Sequence, residues 1–246
     1  MPRIALCAMT ALLTACCLAP SALAAGKTTV VVDSHVNPVI RAFTTKTTSA
    51  TLAINLSFSG ENGTPAATLK QVALKFTYGA HLNGKFFPSC SANQIRNHKP
   101  CPKGSKIGTG TALGTIGDPP NAAEEPIVVT LYNGPKGKSI TFRIQGQRPA
   151  VIDVPFDAPL KTFTGGTYNY GLTVAVPDIL QRVAGLPVSL KFFNVKVAAT
   201  TNVKKRKVGY IETLICPPKA LVPLQGDFTF VDADPFHIDT YIRCGA

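Results

Sequence analysis

Tryptophan does not occur in the 246 residues, and only 13 of them are Asp or Glu. The missing Trp removes the large stacking platforms on which sugar sites rely, which argues against a lectin. Charged residues make up 15% of the chain, against roughly 25% in ordinary soluble domains, while 45% is hydrophobic, so the chain can build a core instead of staying disordered. No collagen or heptad repeat occurs, and no second long apolar run follows the first, which excludes collagen, coiled coils and multi-span membrane proteins. Gly-x-Ser-x-Gly, Walker A, His-Glu-x-x-His and Ser-x-x-Lys motifs are also missing. The four histidines, His35, His81, His98 and His237, stand singly and offer no local nucleophile relay. No cofactor is expected.

The beginning of the chain carries the clearest address. Arg3, an apolar stretch from Ile4 to Leu18 and the small-x-small run Ala22-Leu23-Ala24 before Ala25 have the layout of a secretory signal peptide over residues 1–25. A rival processing site, Leu13-Thr14-Ala15-Cys16, resembles a bacterial lipobox and would leave Cys16 as a lipid-bearing terminus. With the leader gone, residues 26–246 form a single domain without a transmembrane segment, and the loss of Arg3 takes the formal charge from +12 to +11. Cys7, Cys16 and Cys17 leave as well, so Cys90, Cys101, Cys216 and Cys244 remain. An even set in an oxidising compartment implies disulfides, with three possible connectivities. Cys90–Cys101 and Cys216–Cys244 are expected, because each pair brackets one short segment. A zinc site is the alternative, but there is no Cys-x-x-Cys and the spacings fit no zinc module.

Hydrophobic residues recur with a period of two. Leu52-Ile54-Leu56-Phe58, Val72-Leu74-Phe76-Tyr78, Ile127-Val129-Leu131, Ile140-Phe142-Ile144, Ile152-Val154-Phe156, Tyr168 to Val176 and Phe228-Phe230 all alternate with smaller or polar residues. This is the pattern of half-buried strands. In Leu186 to Ala199 the phase flips, and a bulge near Phe192-Phe193 accounts for it. Asn62-Gly63, Asn83-Gly84, Asn133-Gly134 and Gly165-Gly166 mark turns, and only Asp178 to Ala184 has room for a helical turn or two. Phe87 to Asn121 reads as a surface loop stapled by the first disulfide, leading into a Gly/Thr-rich strand from Ile107 to Ile116. The expected fold is all-β: a two-sheet antiparallel β-sandwich, jelly-roll-like, with its disulfides as staples.

Side chains able to carry chemistry are few. Glu124-Glu125 and Asp153/Asp157 are the only close carboxylate pairs before residue 200, and solvated loop or strand-edge positions are the better account of them. Asp227, Asp232, Asp234 and Asp239 cluster around His237; turn chemistry explains them better than a cation site, since the EF-hand spacing is absent. Lys204, Lys205, Arg206 and Lys207 occupy a hairpin tip, and Arg96, Lys99, Lys103 and Lys106 surround the first disulfide. Such clusters attract polyanions, although they also serve solubility and protect strand edges. No aromatics interleave with them, so sequence-specific nucleic-acid binding is not expected.

Several pieces of the chain resemble an uncharacterised family of secreted actinobacterial proteins. They are Pro88-Ser89-Cys90, Cys101-Pro102 followed by Ser105-Lys106-Ile107-Gly108-Thr109-Gly110, Leu131-Tyr132-Asn133-Gly134-Pro135, Tyr168-Asn169-Tyr170-Gly171 to Val176-Pro177, and Gly209-Tyr210 leading to Cys216-Pro217. A final hairpin from Cys216 to Cys244 completes the pattern. The resemblance implies a secreted β-rich domain with both disulfides, and no activity or catalytic residues. It departs from the pattern at Asp232-Ala233-Asp234-Pro235, which stands where the family has an Asp-Gly turn. The functional expectation is a non-enzymatic secreted or cell-surface protein that binds an anionic envelope polymer or lipid surface through its basic residues. The alternatives are an extracellular hydrolase whose carboxylates are assembled by the fold, and a carrier of a small apolar ligand.

Overall fold

The computed structural model describes residues 26–37, 47–77, 80–213, 216 and 219–245; the leader with both processing sites, Tyr78 and Pro217 lie outside them. In chain order the strands begin with β1 (Thr28–Asn37), β2 (Thr48–Gly60), β3 (Leu69–Thr77) and β4 (Ala80–Leu82), followed by helix α1 (Ala92–Arg96). Next come β5 (Lys106–Ile116), β6 (Ala123–Asn133), β7 (Ser139–Gly146), β8 (Ile152–Thr162), β9 (Tyr168–Ala175) and helix α2 (Asp178–Gln181). The remaining strands are β10 (Arg182–Val183), β11 (Leu186–Val197), β12 (Thr200–Val203), β13 (Arg206–Gly209), β14 (Ile211–Thr213), β15 (Leu221–Phe230) and β16 (Phe236–Cys244).

The alternating segments are strands as expected, but they do not make a sandwich. Eleven of them close into one barrel, in the order β11-β5-β6-β7-β8-β9-β3-β15-β16-β1-β2. The closing contact is β2 on β11, from Phe192↔Ser57 to Val197↔Leu52. A two-sheet sandwich would leave β11 an edge strand, whereas here it pairs with β5 on one side and β2 on the other. Period-two alternation buries one face in either architecture, so it does not distinguish them. Eleven strands cannot alternate in direction all the way round, and the single parallel pair, β1 with β16 at His35↔Arg243 and Val36↔Cys244, absorbs the mismatch.

The bulge in β11 falls between Leu190 and Phe192, within two residues of the expected place. It turns Leu190 and then Phe193 toward the same interior. The Gly/Thr-rich strand is β5, whose glycines let the backbones close in: a Cβ on Gly110 would stand 2.0 Å from the Asn194 carbonyl oxygen of β11.

The two ends of the barrel differ. One carries the long insertions: β4, α1, the β12–β13 hairpin, β14 and both disulfides, Cys90–Cys101 and Cys216–Cys244. Asn133, fully buried at this loop-rich end, donates its side-chain amide to the carbonyls of Gly84 (2.9 Å), Phe87 (2.9 Å) and Pro88 (3.2 Å), and its main-chain carbonyl accepts from the Cys90 amide (2.8 Å). The supposed loop from Phe87 is thereby clamped, and it contains α1, capped by Ser91, whose Oγ accepts from the Gln94 amide. The opposite end has short turns and a strap, formed by α2 and β10, that runs from β9 to β11.

Candidate functional site

Inward positions round the ring are apolar, and they do not fill the space they enclose. Eight strands already leave an interior just wide enough for side chains or one small ligand, and eleven leave more. Among the described residues no helix occupies the interior, where a cavity of about 250 Å³ runs the length of the barrel. One sector is plugged: Phe228, 0% exposed, meets Phe58 edge-on at 6.0 Å and lies 6.4 Å from Phe236. Elsewhere the lining side chains, including Phe156, Val174, Leu190, Phe193 and Val195, are part-exposed although they point inward. A side chain that is apolar, inward-facing and still accessible lines a hollow. Phe156 stacks on Phe142 with ring centroids 5.3 Å apart and planes 4° from parallel.

The lining contains no Lys, Arg or His. Its one carboxylate, Glu125, is 1% exposed and spent on the turn after β7: its oxygens accept from the amides of Arg148 (3.2 Å) and Ala150 (2.8 Å). Tyr210, 1% exposed, packs edge-on against Phe87, and its hydroxyl has no hydrogen-bond partner. Burial pushes that phenol well above its ordinary range. Outward positions carry the polar groups, among them Asp33, Lys75, Arg143, Asp153 and Arg243. This is the inverse of a membrane-spanning barrel, whose apolar residues face lipid. Among the described residues no helix is long and apolar enough to cross a membrane.

The carboxylates considered for hydrolysis do not converge. Glu124 and Glu125 lie on opposite faces of β6, and Glu124 pairs with Lys191 at 2.7 Å. Asp153 accepts two hydrogen bonds from Arg143 (2.8 and 2.6 Å), which hold its carboxyl below the usual range. Asp157 is engaged by the Thr141 hydroxyl and the Ala92 amide. Asp227 and Asp239 flank His237 on the outer wall of β15 and β16 and raise its pKa, whereas Asp232 and Asp234 sit apart in the exposed turn beyond. No group of three or more His, Cys, Asp and Glu side chains among the described residues is placed to hold a metal ion.

The two basic clusters share the loop-rich end. Lys204 and Lys205 form the β12–β13 turn with φ of 47° and 65°, Lys207 is exposed beside them, and Lys99, Lys103 and Lys106 are exposed around the Cys90–Cys101 loop. Two members have other work. Arg206 binds Glu212 at 2.8 and 2.9 Å beside a shallow depression of about 480 Å³. Arg96 donates to the Pro155 carbonyl of β8 at 3.2 Å. Unnoticed in the linear sequence, Lys85, Lys136, Lys138, Lys161 and Lys219 join the same end, while at the strap end Glu61, Asp118, Glu124, Asp178, Asp232 and Asp234 stand among Lys27, Lys70, Arg148, Arg182 and Lys191, so that charge there nearly balances. Comparison with protein-family models, curated proteins and solved structures found no match to the chain.

Proposed function

We propose that the chain is a secreted, non-enzymatic carrier that holds a small uncharged apolar molecule in its barrel, as a member of the actinobacterial family it resembles. The observation that carries this reading is the hollow, part-exposed apolar lining described above. Burying a carboxylate or ammonium with no partner costs several kcal/mol, and this lining offers no cation and only one, already engaged, anion, so the ligand is neutral. The two disulfides agree with an oxidising compartment. A second reading is compatible with the first and rests on a separate observation, the gathering of cations at the loop-rich end: that end contacts an anionic envelope polymer or lipid surface.

The test of the carrier uses N-phenyl-1-naphthylamine, an uncharged dye that brightens in apolar surroundings. It should bind, and at a hundredfold excess over Kd should stabilise the fold by about 2.7 kcal/mol. Leu190→Trp, which pushes a bulky ring into the cavity, should weaken binding about tenfold, or ~1.4 kcal/mol, with the fold retained. No brightening with the wild type, or equal affinity in the variant, would remove the lumen from consideration.

A further inference from the structure

We infer that the ligand reaches the lumen through a split in the barrel wall between β8 and β9, a site that rests on the carrier reading. The β7–β8 ladder is continuous from Ser139↔Pro159 to Gly146↔Ile152, but β8 and β9 pair only at Leu160↔Leu172, Lys161↔Gly171 and Thr162↔Tyr170. From there toward the strap end the two strands have no register partners in each other.

The cause is written in β8. Leu160 donates its amide to the Lys138 carbonyl on the β7 side (2.9 Å), so even-numbered residues of β8 turn their backbone groups to β7 and odd-numbered ones to β9. Pro155 and Pro159 are odd-numbered and have no N–H, so of the three positions 155, 157 and 159 that face β9 only Asp157 keeps a donor. The carbonyl of Pro155 is satisfied instead by Arg96, from outside the barrel. Just past β9, Val176 donates to Lys70 on the β3 side (2.9 Å), which leaves the odd-numbered Thr173 and Ala175 of β9 facing the split.

The lips of the split are made for an apolar passenger. Ile152 and Phe156 on β8, Val174 and Val176 at the end of β9, and Leu180 and Val183 of the strap are all part-exposed and all line the cavity. The wall has a second weak ladder, β1 with β16, and that one is shut. There Val30 and Phe228 are 2% and 0% exposed, Arg243 is paired with Asp33, and the Ser34 hydroxyl donates to the Tyr241 carbonyl at 3.5 Å. At the β8–β9 split missing backbone pairing meets an accessible apolar lining on both lips.

The double variant Pro155→Thr/Pro159→Thr restores both donors and lets the strands pair further. With N-phenyl-1-naphthylamine in stopped flow, association and dissociation should both slow about tenfold while Kd stays within about threefold, because a portal changes rates and not equilibria. Unchanged rates in a folded variant that still binds would overturn the portal and leave the carrier reading intact; failure of the wild type to bind would overturn the carrier. Amide hydrogen exchange on the unaltered protein gives a reading independent of how the variant folds. Thr173 and Ala175 should exchange about a hundredfold faster than Leu172 and Val174, and equal protection at these four positions would overturn the portal.

Discussion

Glu212 holds a charge where almost no water reaches: its side chain is 5% exposed, and its carboxylate accepts from Thr47 at 2.8 Å and from Arg206. Burial alone would raise its pKa, but hydrogen bonds from Thr47 and Asn83 and the nearby guanidinium outweigh it and hold the carboxyl below its ordinary range. A folded-state pKa below the unfolded one stabilises the protein above the unfolded value, and the benefit is lost as pH falls through the folded value. Glu212→Gln should therefore cost ~1–3 kcal/mol at neutral pH, chiefly from hydrogen bonds in a buried site, since Arg206 is itself more than half exposed. In urea titrations the gap to the wild type should narrow toward about pH 3; a gap that does not depend on pH would assign the effect to packing. At this scale sequence reading has a firm limit. Arg206 is indistinguishable from its three lysine neighbours in the string, and only the corner between β13 and β14 shows that it is tied down and they are not.

At the scale of elements, the contact between β5 and β11 decides whether the ring closes. A Cβ on Gly110 would meet backbone at 2.0 Å, whereas one on Gly114, four residues along the same strand, would make an ordinary 3.4 Å contact with the Ser189 carbonyl. Gly110→Ala should thus destabilise by about 2–3 kcal/mol or more, as overpacking against rigid backbone does, while Gly114→Ala stays within about 1 kcal/mol. Thermal unfolding of the two variants side by side checks this, and equal stabilities would mean that β5 and β11 part easily. Strand positions were legible because each depends on its own alternation, and the β11 bulge because the phase of that alternation changes at Phe192-Phe193. Closure was not, because it depends on which edges meet: nothing local to Leu52–Ser57 announces Phe192–Val197 as its partner. One clue to the portal did stand in plain text. Pro155 and Pro159, four apart in an alternating segment, mark a strand with one unpaired side.

Across the whole molecule, the excess of basic over acidic residues, 25 against 13, is unevenly distributed. Exposed lysines gather at the loop-rich end, whereas at the strap end, toward which the β8–β9 split opens, carboxylates and cations nearly balance. Attraction of the loop-rich end to a polyanion comes from exposed charges and is screened within a Debye length of about 8 Å at physiological salt; binding of a neutral ligand in an apolar lumen, whose one carboxylate is buried and engaged, has no such dependence. The two activities should therefore separate cleanly. Retention on a heparin column should fall steeply between roughly 50 and 200 mM salt, while the affinity for N-phenyl-1-naphthylamine stays constant over that range. Changing Lys204, Lys205 and Lys207 to Gln, with Arg206 kept for its partner Glu212, should lower the eluting salt concentration without altering dye affinity or unfolding temperature, because exposed charges contribute little to stability. If the triple variant elutes with the wild type, the lysines serve solubility and the anionic-surface reading fails, with the lumen untouched. If dye affinity drops with salt alongside retention, the dye sits on the basic end and the barrel is not its site.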